Sequence, residues 1–509
     1  MNRFFTNLYL SILIFLISNW GINSFFWATR SSHSLKSVFA SLSIVFFSLL
    51  ALNYNHISKQ SQFGDFHLKA LALLTLNDVV VYVTGVISLV GLSNWVQPFL
   101  TPKSLIYDTA LQALKFGWNP LYTELPDQRW AALPRMSLAN QLSLNQFPSL
   151  LNSGLFFNLV LILASFGATF LAIKKLLPRN LNLVNKYFWQ ATLTLLITCN
   201  PITIRLANSL EVFPQLYALY IIIIASGILL AKKPKKTQVS NLIHWLSILF
   251  SIILLAGISY YGLLVGAVLA FGIVFYHLLN DSPLIKTRQI ITLTPVLIIG
   301  LIINLNPYLP KIVSKISRLN PIGISKLSDR LLGLINQQFN TIIPSISALT
   351  QPAREVIYRR LPFLIQDSEL QTLKNPNLPL LTSSLGLWFS GVMIILILGN
   401  GYLYWLTCLK PKKIGDAGLE DQMIIKFHHQ RNIQIILIHT IFTIFLVFIG
   451  LLTRNIFDQN QLSFWWLLPC SSLIVWLYFD DTKLDIARQV MTVFLVGNCV
   501  LMAWLGLGF

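Results

Sequence analysis

Two carboxylates are candidates for chemistry because each lies in a short polar stretch of an otherwise apolar chain. Asp108 comes soon after an apolar run that ends at Trp95, and Glu211 lies in the turn that begins at Arg205. Such a carboxylate can act as a general base towards a hydroxyl, or two of them can converge to bind Mg²⁺ or Mn²⁺. The structural alternatives are a helix cap for Asp108 and an ion pair between Arg205 and Glu211.

A second group of polar residues combines acids and arginines with aromatic side chains on two long loops. These residues are Glu124, Asp127, Arg129 and Arg135 on the first loop, and Arg354, Arg359 and Arg360 on the second. The planar guanidinium group matches phosphate oxygens, so arginines beside Trp130 and Tyr358 suit a phosphate-bearing lipid. The alternative is a general attraction to anionic lipid headgroups.

The elements that must position these residues are membrane-spanning helices. Of the 509 residues, 55% are hydrophobic and only 11% are charged, whereas soluble domains carry about a quarter charged residues. Apolar runs of roughly 17 to 25 residues, the length that crosses a hydrocarbon core of ~30 Å, recur along the chain. The sequence therefore predicts an all-α, polytopic integral membrane protein with about 13 transmembrane helices.

The predicted spans leave two long loops that carry short amphipathic helices. The spans cover roughly 8–28, 37–54, 70–95, 153–173, 187–205, 212–231, 241–257, 261–279, 290–306, 384–408, 433–453, 463–479 and 489–508. The first is interpreted as a retained helix because no small-residue cleavage site follows it. The chain is thus expected to comprise a transmembrane module over 1–310 with the loop 96–152, a basic external region over 311–383, and C-terminal helices over 384–509.

Basic residues in the short connections predict the orientation. With a cytoplasmic N-terminus, the cytoplasmic connections carry 20 lysines and arginines, and the short external connections carry 4. The positive-inside rule therefore favours this orientation, with both long loops outside. Much of the net charge of +19 is explained by topology and by contact with membrane lipids, which argues against a nucleic-acid partner.

The order of these features resembles the GT-C-type membrane glycosyltransferases, particularly bacterial members that depend on polyprenyl-phosphate sugars. Asp108, with Tyr107 before it, resembles the acid of an aromatic–acid pattern that follows an early span. Gly117 to Tyr122 resembles the Trp- and Pro-bearing sequence that comes next, and Arg129 to Pro134 resembles a later Arg…Leu-Pro element. The stretch from Asn200 to Phe213 is similar to the section with a second acid. The resemblance covers roughly residues 70 to 310.

The resemblance implies transfer of a sugar from a polyprenyl-phosphate-linked donor to a glycan, lipid or protein acceptor on the external face of a bacterial inner membrane. Asp108 would act as base, Glu211 would complete a divalent-cation site, and the loop arginines would hold the donor phosphate. The chain departs from the family pattern because Ala110 to Lys115 contains no histidine followed by Pro-Arg, and because Asp108 has no second acid beside it. Whether the chain is a diverged or an inactive homologue of this family therefore stays open.

Two other classes of protein remain as alternatives. A polysaccharide polymerase or ligase would depend on the arginines of the external loops rather than on Asp108. A transporter would favour Asp78, which lies inside the third predicted span, because a charge at that depth is costly and usually functional. A scaffold would bind protein through the external loops, and no single acid would be essential.

Overall fold

The computed structural model describes the chain in helical segments separated by gaps. The described residues are 2–28, 36–57, 150–201, 203–204, 213–231, 238–258, 260–280, 294, 298, 388–409, 430, 432–446, 463–479 and 481–506. Within them the backbone is helical apart from short turns, and no strand occurs in these ranges. The prediction of an all-α chain is confirmed for this part of the protein.

The helices within these ranges are numbered here in chain order. They are α1 Asn2–Ala28, α2 Lys36–Ile57, α3 Leu150–Leu176, α4 Leu183–Thr198, α5 Phe213–Ala231, α6 Gln238–Ile258, α7 Tyr260–Asn280, α8 Phe389–Tyr404, α9 Asn432–Leu446, α10 Ser463–Trp476 and α11 Thr482–Gly506. Helix α8 continues into a π-helical turn, Trp405–Leu409.

Two of these helices are long and apolar enough to cross a membrane. They are Asn158–Leu176, which forms the larger part of α3, and Phe213–Ala231, which is α5. An apolar helix of this length satisfies its backbone hydrogen bonds internally, as a hydrocarbon environment requires. Both helices support association with a membrane. The other predicted spans form shorter apolar helices or lie outside the described ranges.

The predicted fifth span, 187–205, is not one continuous helix. Helix α4 ends at Thr198, and a new helical turn begins after Asn200. Pro201 is the reason, because proline lacks an amide hydrogen and disfavours the helical conformation in the residue before it. The Asn200-Pro201 pair therefore divides this segment.

The chain folds as two compact units, each built from two stretches of sequence. Unit 1 comprises Met1–Lys175 and Leu206–Ile324, and unit 2 comprises Leu176–Arg205 and Ser325–Phe509. The predicted domain boundaries at residues 310 and 383 lie outside the described ranges and stay predictions.

In unit 1, contacts at matching positions along α5 and α7 show that these helices run in the same direction. The Tyr220 hydroxyl, in the first half of α5, donates a hydrogen bond to the Gly262 carbonyl oxygen at the start of α7 (3.3 Å). Further along both helices, Gly227 lies against Ile273, where an added Cβ would come within 2.6 Å of the isoleucine Cδ1 atom. The small residue therefore permits close approach of the two helices.

Helix α1 of unit 1 contacts both α6 and α3. The Tyr9 hydroxyl lies 3.2 Å from His244 Nδ1, which joins the first third of α1 to the first third of α6. The rings of Phe5 and Phe170 lie with their centroids 4.5 Å apart, which joins the start of α1 to the later part of α3.

In unit 2, helices α8 and α10 run parallel to each other. Near their starts, the rings of Phe389 and Trp466 stack with centroids 5.8 Å apart. Near their ends, the Trp476 indole N–H donates to the Asn400 side-chain oxygen at 2.9 Å. Two contacts at corresponding positions fix the relative direction of this pair.

The exposed face of α11 in unit 2 is largely apolar, and polar side chains of this helix are buried on its opposite face. The exposed apolar residues of α11 are Ile486, Val490, Val493, Val496 and Val500. The opposite face of α11 is buried and includes Thr492 and Asn498. This distribution reverses that of a helix on the surface of a water-soluble protein, whose exposed face is polar.

Candidate functional site

The residues predicted to carry chemistry lie outside the part of the chain that the structure describes. They are Asp78, Asp108, Glu124, Asp127, Arg129, Arg135, Glu211, Arg354, Arg359 and Arg360. The structure does describe the helices that follow Asp108 and Glu211 in the sequence. Helix α3 begins where the loop 96–152 ends, and α5 begins at Phe213, soon after Glu211.

A buried hydrogen bond joins the third turn of α3 to the first turn of α5. The Gln215 side-chain Nε2 donates to the Asn158 Oδ1 atom at 3.0 Å. Both side chains are withdrawn from the surface, with exposed fractions of 2% for Gln215 and 0% for Asn158. An amide inside an apolar bundle is stable only when its polar atoms find partners, so this bond holds the start of α5 against α3.

A second contact joins the far ends of the same helices. The Lys175 ammonium group donates to the Leu229 carbonyl oxygen at 2.5 Å, at the last turn of α5. A cation at a helix C-terminus interacts favourably with the carbonyl groups that have no partner within the helix. With the Asn158–Gln215 bond at one end and this contact at the other, α3 and α5 run parallel. Their starts lie at the same end of unit 1.

The two ends of the α3–α5 pair differ in chemistry. The end with the helix starts is marked by the neutral amides Asn158 and Gln215. The opposite end carries the cationic Lys175, and Tyr9 and His244 lie within hydrogen-bonding distance of each other in unit 1. The neutral amide pair therefore lies towards the N-terminal ends of α3 and α5, and the segments that bear the predicted acids precede these ends in the sequence.

No metal centre is formed by the residues that the structure describes. Within these ranges, no group of three or more histidine, cysteine, aspartate or glutamate side chains could hold a metal ion. Asp108 and Glu211, the ligands predicted from the sequence, lie outside these ranges, and the divalent-cation site stays a prediction.

Unit 2 contains a buried polar network that the sequence interpretation did not single out. Ser472 Oγ lies 3.1 Å from His439 Nε2, and the Asn400 Nδ2 atom donates to Ser472 Oγ at 3.1 Å. Asn400 in turn accepts the Trp476 indole N–H. The network joins α8, α9 and α10, and its members satisfy one another. The network therefore stabilises the packing of these three helices.

The Asn158–Gln215 pair was also missed in the sequence interpretation. The available signal was the position of two amides inside runs otherwise long and apolar enough to be spans. Polar side chains at such positions are expected to bond across helices, but a single sequence does not identify their partners.

The chain was compared with protein-family models, curated proteins and solved structures. No family model, no curated protein and no solved structure matches the chain.

Proposed function

We propose that this chain is a membrane glycosyltransferase that moves a sugar from a polyprenyl-phosphate-linked donor to an acceptor on the external face. The observation that carries the proposal is the Asn158–Gln215 hydrogen bond of 3.0 Å. It joins the first turn of α5, which follows the segment bearing Glu211, to the third turn of α3, which follows the segment bearing Asp108. A site built from both acids requires the helices that follow them to lie side by side, as α3 and α5 do.

The arrangement of the helices supports a membrane setting for this chemistry. In unit 1, α3, α5 and α7 run in one direction. These relative directions are those that alternating spans would have. The apolar outer face of α11, with polar residues inside, is likewise what lipid-facing helices need.

In the proposed reaction, Asp108 accepts the proton of an acceptor hydroxyl. The hydroxyl oxygen then forms a bond to the anomeric carbon of the donor sugar. The bond between that carbon and the donor phosphate oxygen breaks, and its electron pair leaves with the phosphate. Arg129 and Arg135 hold the departing phosphate through charge-assisted hydrogen bonds, as arginines suit phosphate groups. Arg354, Arg359 and Arg360 are proposed to serve the same purpose from the second loop.

The acids Glu124 and Asp127 complete the proposed substrate-binding loop by orienting the neighbouring arginines. Asp108 and Glu211 offer hard carboxylate oxygens of the kind that Mg²⁺ or Mn²⁺ prefers, and a bound cation would offset the negative charge of the phosphate.

The test is sugar transfer by the full chain in vesicles that contain a polyprenyl-phosphate sugar. Asp108→Asn keeps the size of the side chain and removes the base, so transfer should fall by about 100-fold or more. Asp416→Asn, in a predicted cytoplasmic connection, is the matched control and should retain activity. A folded Asp108→Asn variant that transfers sugar at the wild-type rate would refute the proposal. If transfer instead depended on Arg359 and Arg360 alone, a polymerase or ligase would explain the chain better.

A further inference from the structure

A buried histidine in unit 2 ends a chain of hydrogen bonds that crosses three helices. His439, on α9, is 6% exposed, and its Nε2 atom lies 3.1 Å from Ser472 Oγ on α10. The Ser472 oxygen accepts a hydrogen bond from Asn400 Nδ2 on α8 at 3.1 Å, and the Asn400 side-chain oxygen accepts one from the Trp476 indole at 2.9 Å. Each of these bonds constrains the next one.

The Trp476 indole sets the direction of the chain because its nitrogen can only donate. It therefore faces the oxygen of the Asn400 amide, and the amide nitrogen donates to Ser472. The serine hydroxyl carries one proton, and within the described part of the chain its acceptor is His439 Nε2. An accepting Nε2 atom has no hydrogen, so His439 is neutral and carries its proton on Nδ1.

Protonation of His439 breaks the last bond of this chain. The Nε2 atom of a histidinium ion carries a hydrogen and no longer accepts. Both Nε2 and the Asn400 amide then donate to the Ser472 oxygen, and the serine proton loses its acceptor. A buried donor without a partner is costly, so the chain of bonds favours the neutral histidine.

No charged side chain of α8, α9 or α10 offsets the positive charge of a protonated His439. Over their described bounds, these three helices contain no aspartate, glutamate, lysine or arginine. Helix α11 of unit 2 does carry charges, but Asp485 and Arg488 pair with each other, and the Lys483 ammonium group lies over the Tyr402 ring. A buried charge without a partner is strongly disfavoured in an apolar bundle.

The other titratable groups on the described helices around the histidine are engaged elsewhere or apolar in character. On α8, the Tyr402 hydroxyl donates to the Asp481 carboxylate at 3.2 Å, and Tyr404 bonds with a threonine of α9. On α10, Cys470 is a free thiol that is 1% exposed. None of these groups takes part in the bond between the histidine and the serine.

We propose that His439 is a pH-sensitive switch, which holds α8, α9 and α10 together when it is neutral and loosens their packing when it is protonated. The inference does not depend on the proposed glycosyltransferase function. Histidine is the side chain whose charge ordinarily changes between about pH 5 and pH 8, so the switch acts on moderate acidification.

The first test determines which histidine nitrogen carries the proton. The full chain is labelled with nitrogen-15 histidine and studied in lipid bilayers by solid-state NMR, and His439→Gln identifies the His439 signals by their loss. At about pH 7.5 the wild type should show a protonated Nδ1 and an unprotonated Nε2, and at about pH 5 both nitrogens should be protonated. A hydrogen on Nε2 at the higher pH, or a histidine that stays neutral at the lower pH, would overturn the proposal.

The second test measures the opening of the helices by hydrogen exchange and mass spectrometry. The exchange rates of peptides from α9 and α10 are compared between the wild type and His439→Gln at the same pH, which cancels the chemical effect of pH on exchange. Their ratio should be near one at about pH 7.5. It should rise by up to about tenfold for each pH unit below about 6.5, the ordinary pKa of histidine.

His244→Gln is the matched control because it replaces a histidine of unit 1 that lies beside Tyr9. It should leave the acid-induced rise in α9 and α10 unchanged. A ratio that stays near one at about pH 5 would overturn the switch. Should His439→Gln fail to fold, peptides of α9 and α10 are compared with those of α3 and α5 in the wild type. An equal rise in all four helices would then indicate general acid unfolding and would overturn the switch as well.

Discussion

Replacing Gln215 by leucine tests whether the buried amide pair holds α5 against α3. Leucine has a similar volume and lacks the Nε2 donor that bonds to the Asn158 side-chain oxygen at 3.0 Å. Because Gln215 is only 2% exposed, water does not replace the lost donor without a rearrangement of the helix starts. The variant should therefore be less stable than the wild type.

The size of the effect follows from two contributions. Hydrogen bonds between side chains in membrane proteins stabilise by about 0.6 kcal/mol on average, with a maximum near 1.7 kcal/mol. Removing the donor also leaves the buried Asn158 oxygen without that bond, which adds a desolvation cost of about 1–3 kcal/mol. Gln215→Leu should thus lower the free energy of unfolding by about 2–4 kcal/mol, the sum of the two contributions. The double variant Asn158→Leu with Gln215→Leu should lose less than the sum of the two single variants.

The measurement is reversible unfolding of the full chain in lipid bicelles, for the wild type, both single variants and the double variant. Gln434→Leu is the matched control, because Gln434 is exposed on α9, and its effect should stay within about 0.5 kcal/mol. Strictly additive losses in the double variant would show that the two amides do not interact. An effect of Gln215→Leu no larger than that of Gln434→Leu would refute the assigned contact.

Three further predictions concern packing and hydrogen bonding inside the two units. Gly399→Ala should destabilise the chain by about 1–3 kcal/mol, because an added Cβ would lie 2.3 Å from the buried Trp476 ring; an unchanged unfolding midpoint would contradict this. Gly401→Ala meets nothing within 4 Å and should stabilise the same helix by about 0.5–1 kcal/mol, with a loss of stability as the contrary outcome. Tyr9→Phe removes the hydroxyl that lies 3.2 Å from His244 Nδ1 and should cost about 1 kcal/mol in the same unfolding assay, whereas a gain would contradict the hydrogen bond.

The candidate site could be predicted from the sequence only as a set of residue types in polar segments. Asp108 and Glu211 were distinguished by their position between apolar runs, and the arginines by their aromatic neighbours. The distance between the two acids cannot be read from their separation in the chain. What the structure adds is the joining of α3 and α5 by Asn158 and Gln215, which lie 57 positions apart in the sequence.

Helical character and approximate helix positions are local properties, and the sequence alone was sufficient for them. The apolar run predicted over 212–231 forms the helix Phe213–Ala231, because each residue in it can bond its backbone within the same segment. The Asn-Pro break at residue 200 is local as well, although the predicted span 187–205 ran across it.

The choice of which helices pack together is not a local property. The Trp466 indole bonds to a carbonyl 270 positions away, at Leu196. Such a pairing depends on how helices rotate and pack against each other. Hydrophobic runs do not encode that rotation, so only the tertiary structure decided which polar groups meet.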